Sequence, residues 1–217
     1  MGYNNPSMRG ILITVEGVEG AGKSTQCRLL ARRLSAKGFT IRETSEPDGT
    51  PLGEAIRSLF ERERIEPAPL SEAFLFLAAR HQHVERVIRP ALARGEIVIS
   101  DRYSDATLAY QGYGRRLDLP MIRELNDFAT GRLRPDLTLV LDLDPAVGLR
   151  RLGGRHLDAF EKMDQAFHSR VRQGYLDIAR EEKDRVIVIH ADQSVESLEA
   201  EIWSAVEERL QLREAIL

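Results

Sequence analysis

An α/β three-layer fold, a parallel sheet covered on both faces by helices, is what this chain of 217 residues predicts. Two observations carry it. Five short runs rich in Ile, Val and Leu are nearly continuous in apolar character rather than alternating, as strands buried on both faces require. Longer segments with helical spacing separate them, and a strand-helix alternation of this kind builds a layered parallel sheet.

In chain order, the predicted strands are "GILITVE" (10–16), "FTIRET" (39–44), "EIVISD" (96–101), "LTLVLDLD" (137–144) and "RVIVIH" (185–190). The stretch from Leu70 to Leu92 predicts a long helix, and "GYGRRLDLP" (112–120) a turn. Phe160, Met163, Phe167, Val171 and Ile178 form one apolar helical stripe. Val195, Leu198, Ile202, Val206 and Leu210 form another near the end. Ligands of open α/β sheets collect beyond the carboxyl ends of the strands, which places Glu16, Thr44, Asp101 and Asp142 near a common edge.

Length and composition predict one domain over residues 9–217, and "MGYNNPSM" (1–8) a disordered tail. The formal charge of -3 gives no footprint for nucleic acid. No apolar run approaches the roughly 18 residues that span a bilayer, and the start lacks the pattern of a signal peptide. The single cysteine, Cys27, excludes an intrachain disulfide and suits a buried helix position. Together these features predict a cytoplasmic protein with small-molecule partners and no membrane or nucleic-acid partner.

Between the first strand and the following helix lies "GVEGAGKS", Gly17 to Ser24, which satisfies G-x-x-x-x-G-K-[ST] in the strand-loop-helix context that motif demands. Gly17, Gly20 and Gly22 let the backbone curl around phosphate oxygens, with Val18, Glu19 and Ala21 between them. The amides and the helix start supply a positive field. Lys23 can reach the terminal phosphates, the Ser24 hydroxyl can ligate Mg2+, and Thr25 completes the loop. Nucleotide binding follows, ATP or GTP. At the end of the third strand, Asp101 can hold Mg2+ through a bound water, and Arg102 can grip a phosphate.

"VEGVEGAGKST" (15–25), "SEPDGT" (45–50), "FLFLAAR" (74–80), "SDRYSDATLAYQG" (100–112) and "RPDLTLVLDLDP" (134–145) occur in an order and spacing that resembles the bacterial thymidylate kinases, which are P-loop nucleoside monophosphate kinases. The resemblance implies a P-loop kinase fold with strand order 2-3-1-4-5 and transfer of a phosphoryl group from ATP to dTMP, with Mg2+. It implies that Arg57 and Arg102 hold the acceptor phosphate, that Phe76 stacks on thymine, and that Arg80 meets the thymine edge. Thr107 and Gln111 would contact the base, Tyr110 would close on the deoxyribose, and Glu46 belongs with this acceptor group. No general base is needed, because a phosphate monoester is largely ionised at neutral pH. The resemblance also implies a homodimer.

"GLRRLGGRHLDAFEK" (148–162) is similar to the family's lid, with Arg155 as the catalytic arginine and Arg150 and Arg151 on the preceding helix. Glu19 is expected to point away from the phosphate-binding amides and to meet a lid arginine on closure. Several positions depart from the family pattern. Ser45 and Asp48 stand in "SEPDGT" where the family often has "REPGGT", Ala106 replaces a usual serine, and Ala159 replaces a lid arginine. Asp48 is expected to adopt a left-handed turn and, as an added carboxylate near two phosphates, to weaken binding. Two other readings stay open at this point: a kinase for another (deoxy)nucleotide or a nucleoside, and a nucleotide-binding regulatory protein with degenerate catalysis.

Overall fold

A computed structural model describes residues 10–61, 65–153 and 160–214, and side chains as far as 209. The expectations for the tail (1–8), Arg155 and Ala159 lie outside the described residues.

Five parallel strands form one sheet in the order β2-β3-β1-β4-β5. They are β1 (Ile11–Gly17), β2 (Ile41–Ser45), β3 (Ile97–Asp101), β4 (Leu137–Asp142) and β5 (Val186–His190). Every strand lies where an apolar run predicts it, with ends shifted by one or two residues. The register pairs Val15 with Asp101, Ser45 with Asp101, and Gly17 with Leu141. The carboxyl ends of the three strands at the middle of the site are therefore level.

Around the sheet run α1 (Lys23–Ala36), α2 (Pro51–Glu61), α3 (Pro69–His83), α4 (Arg89–Ala93), α5 (Ser104–Thr107), α6 (Leu119–Thr130), α7 (Pro145–Arg151), α8 (Gln165–Glu181) and α9 (Val195–Glu214). Carboxylates cap three of them: Asp118, Asp144 and Asp164 accept from the amides of Met121, Ala146 and Phe167. The main core joins Val15, Leu139, Leu141 and Ile99 of the sheet to Leu30 of α1, Phe167, Val171 and Ile178 of α8, and Ile202 and Val206 of α9. Cys27 is buried in α1, as its setting predicts.

Four expectations are corrected. The predicted Leu70–Leu92 helix is α3 followed by a π-helical stretch (Val84–Ile88) and α4. Gly112 and Gly114 do not form a turn; a π-helix continues from Leu108 to Gly114, and only the residues after it turn. The reason is packing: a Cβ on Gly114 would lie 2.6 Å from Phe167 Cε2, so the glycine lets this segment approach α8. Phe160 and Met163 share the core but precede α8, whose cap is Asp164. Val195 opens α9 on an exposed surface rather than in the core stripe.

Candidate active site

Along the carboxyl edge of β1, β2 and β3 opens a cavity of about 540 Å³. Its floor at one end is the glycine loop. Gly20 and Gly22 have φ of 72° and 92°, conformations that a side chain would strain. The loop packs backbone to backbone on α7, since a Cβ on Gly148 would lie 2.1 Å from the Glu19 carbonyl oxygen. Val18 and Ala21 face inward and are buried, whereas Glu19, Gly20, Gly22, Lys23, Ser24 and Thr25 line the cavity. Gly17, at the end of β1, sits against Leu141 without reaching the cavity wall.

Lys23 turns its ammonium onto the Val18 carbonyl oxygen at 2.9 Å. Burial, helped by the charge of Arg102, brings its pKa down to about 8, against the pull of Asp101, Glu19 and Glu16. The Ser24 hydroxyl donates to Asp101 Oδ2. These two hard oxygen donors, side by side at the phosphate end, fit Mg2+, which favours oxygen ligands and takes the rest from phosphate and water. Among the described residues no group of three or more His, Cys, Asp or Glu side chains gathers as a metal site.

Arg102 is held in a left-handed backbone conformation, φ 71°. Three hydrogen bonds fix the turn: its amide donates to the Val15 carbonyl, Ser100 Oγ to the Arg102 carbonyl, and the Tyr103 amide to Glu16 Oε1. The guanidinium then reaches Glu19 Oε1 at 3.1 Å, Tyr110 Oη at 3.0 Å and Tyr175 Oη at 3.2 Å. Tyr110 Oη also donates to Glu19 Oε1, and Tyr175 Oη to Glu16 Oε2. Burial pushes Glu16 up to about 8, with Asp105 adding to the rise and Arg102 opposing it. For Glu19 burial also acts upward, but Arg102 and Lys23 outweigh it, and the carboxyl stays below its usual range.

Among the described residues Glu19 is partnered by Arg102 of the β3 edge and by Tyr110, and it lines the cavity; the expected contact with the lid arginine Arg155 lies outside the described residues. Glu16 and Thr44 lie at the carboxyl edge but behind the cavity wall. Asp142 is drawn off into a bidentate pair with Arg172, at 2.6 and 2.8 Å.

At the other end the cavity is lined by Arg57 and Phe60 of α2, Phe76 and Arg80 of α3, and Thr107, Tyr110 and Gln111 of the helix after β3. Phe60 and Phe76 stack at 5.1 Å and 15°, and Phe160 tilts against both. Arg80, 3% exposed, is anchored by Glu46 Oε2 at 2.8 Å, Thr107 Oγ1 at 2.6 Å, Asn126 Oδ1 at 2.8 Å and the Tyr103 carbonyl at 2.9 Å. His83 in turn bridges Glu46 Oε1 and Thr44 Oγ1. A carboxylate only accepts, so Nδ1 is the donor toward Glu46. Glu46 therefore positions Arg80 while itself lining the wall. Gln111 donates to Glu72, which also holds Arg115. Arg151 closes α7 at the rim and pairs with Asp192, on the preceding helix as expected.

A phosphate loop and an aromatic, arginine-rimmed pocket thus share one cavity, as two substrates exchanging a phosphoryl group require. The sequence model of the family described as thymidylate kinase matches residues 15–202. The chain belongs to the thymidylate kinase family. It is 50% identical over 202 residues to a thymidylate kinase of Deinococcus radiodurans, an alignment covering 93% of this chain and 98% of the relative. It is 48% identical over 206 residues to that of Exiguobacterium sp., covering 94% and 97%. The crystal structure of thymidylate kinase from Ehrlichia chaffeensis superposes with a TM-score of 0.77 at 34% identity, over 91% of this chain and 98% of that one. Membership in the thymidylate kinase family makes the chain an enzyme, a kinase on a P-loop fold.

Sequence reasoning did not single out Tyr175, His83, Asn126, Phe60 or Gly148. A tyrosine on an apolar helical stripe was available as a clue, because a buried phenol needs a partner. So was a glycine inside the helix after β4.

Proposed function

We propose that this chain catalyses ATP-dependent phosphorylation of dTMP to dTDP in deoxynucleotide biosynthesis. The observation that carries this reading is the single cavity in which the glycine loop with Lys23 faces the pocket of Phe76, Arg80, Arg102 and Tyr110. ATP would lay its phosphates along Gly17 to Thr25. The acceptor base would lie against Phe76, its polar edge turned toward Arg80, Thr107 and Gln111. Glu46, Asn126 and Glu72 hold Arg80 and Gln111 in fixed orientations, so the base meets groups whose positions are set before it binds. Arg57 and Arg102 would receive the acceptor phosphate, and Glu19 and Tyr110 the sugar side of the same molecule.

The reaction needs positioning and charge neutralisation more than proton transfer. Lys23 and Arg102, both lining the cavity, would meet the phosphoryl charge. Arg155 remains the proposed lid arginine. Mg2+, held by Ser24 and through water by Asp101, would supply further neutralisation of the phosphate oxygens when bound.

Among the described residues no helix is long and apolar enough to cross a membrane. With the composition, this supports a cytoplasmic site of action. Phe74 of α3 is 51% exposed and Phe128 of α6 88% exposed, with Leu70 nearby on the α3 stripe. Such a patch supports a homodimer across α3 and α6.

The test is ADP release from Mg-ATP with a panel of nucleosides and nucleoside monophosphates. dTMP is expected to give the highest kcat/KM. Faster turnover of another acceptor would move the specificity, and ATP binding without turnover would overturn the enzymatic reading.

A further inference from the structure

Arg57 enters the acceptor end of the cavity between two carboxylates. Its NH1 donates to Asp48 Oδ2 at 2.6 Å and its Nε to Glu61 Oε1 at 2.5 Å. Glu61 lies one turn further along α2, an i,i+4 pairing that the helix itself provides. Asp48 is different: it comes from the loop between β2 and α2 and reaches across to the guanidinium.

Its backbone does not have the left-handed conformation expected from the sequence, since the described residues other than glycine with positive φ are Arg102, Arg116 and Arg132. A turn requirement therefore does not explain an aspartate at this place. Its second oxygen, Oδ1, is out of contact with solvent and has no hydrogen-bond partner among the described residues, a costly arrangement for a carboxylate. Burial pushes the Asp48 carboxyl up, against the pull of Arg57 and with Glu61 and Glu54 adding to the rise. The local balance is two negative charges on one positive, in the part of the cavity where an anionic acceptor group would enter. The pair is also reachable, with 42% of the Arg57 side chain and 32% of the Asp48 side chain exposed.

Resting on the acceptor assignment above, we propose that Asp48 is a specificity-determining residue that occupies Arg57 in the empty enzyme, so that the acceptor phosphate must take the guanidinium from it. Asp48 then sets the affinity for phosphate-bearing acceptors without taking part in the transfer. Its influence ends where the phosphate is absent: thymidine, which has the same base and sugar, does not compete for Arg57.

The experiment compares Asp48→Asn, which keeps the shape and removes the charge, with Asp48→Gly. Steady-state kinetics give KM and kcat for dTMP and KM for ATP, and calorimetry gives the dissociation constant of thymidine. Both variants are expected to lower the KM for dTMP about fivefold, the scale of a half-exposed ion pair. The kcat, the KM for ATP and the thymidine affinity are expected to stay unchanged. An unchanged KM for dTMP in the folded Asn variant, or an equal shift for thymidine, overturns the proposal. Failure of the unaltered enzyme to phosphorylate dTMP is a separate outcome, which overturns the acceptor assignment and this inference with it.

Discussion

Lys23 shows how a single residue inherits its behaviour from its surroundings. Burial and the neighbouring Arg102 depress its pKa to about 8 in the nucleotide-free enzyme. An amine is charged below its pKa, so kcat/KM for ATP is expected to hold level below about pH 8 and to fall above it. Bound phosphates would favour the ammonium, so the corresponding limb in kcat is expected at higher pH. A pH series of initial rates at low and saturating ATP checks both, and a kcat/KM profile flat to pH 10 would contradict the assignment. The lysine itself was legible from G-x-x-x-x-G-K-S. Its charge state was not, because the groups that set it come from β1, the glycine loop and the end of β3.

At the scale of elements, the glycine loop is shaped by what lies beneath it. A Cβ on Gly20 would lie 2.2 Å from the Gly148 carbonyl oxygen, and one on Gly148 2.1 Å from the Glu19 carbonyl oxygen. The loop thus rests on α7 through close backbone contact, with the Arg151 side chain also reaching the Gly20 carbonyl. Gly148→Ala is expected to push the loop off its support and weaken ATP binding roughly tenfold, the usual cost of overpacking at a tight contact. Fluorescence titration with a labelled nucleotide measures it, and wild-type affinity would show that α7 does not support the loop. The sequence revealed Gly20 through its motif and left Gly148 unmarked, because the contact joins residues 128 positions apart in the chain. The same cause explains the π-helix from Leu108 to Gly114. Its glycines look like a turn in one dimension, yet Gly114 serves the approach of Phe167 on α8 and Gly112 that of Leu119.

The whole molecule places two demands on α3. One face of this helix builds the acceptor pocket through Phe76 and Arg80, while Leu70 and Phe74 are exposed, as is Phe128 of α6. A homodimer across this patch predicts that Phe128→Asp turns a dimeric species into a monomer, measured by light scattering after size exclusion. A dimer that survives both Phe128→Asp and Phe74→Asp would place the interface elsewhere. The resemblance implies a dimer without placing its interface. Only the packed helix separates the apolar residues facing Arg80 from those facing solvent.

The sequence by itself determined the class of fold, the five strands, the phosphate loop and, through its resemblance, the family. These follow from local periodicity and from a contiguous motif whose chemistry needs its residues next to one another. The tertiary structure alone decided the partners of the charges. Glu19 belongs to Arg102 and Tyr110, Glu46 to Arg80 and His83, Asp142 to Arg172, and Asp48 to Arg57. Charges act through space over a few ångströms, and in this sheet the strands that bring them together are neighbours in the order 2-3-1-4-5 rather than in the chain.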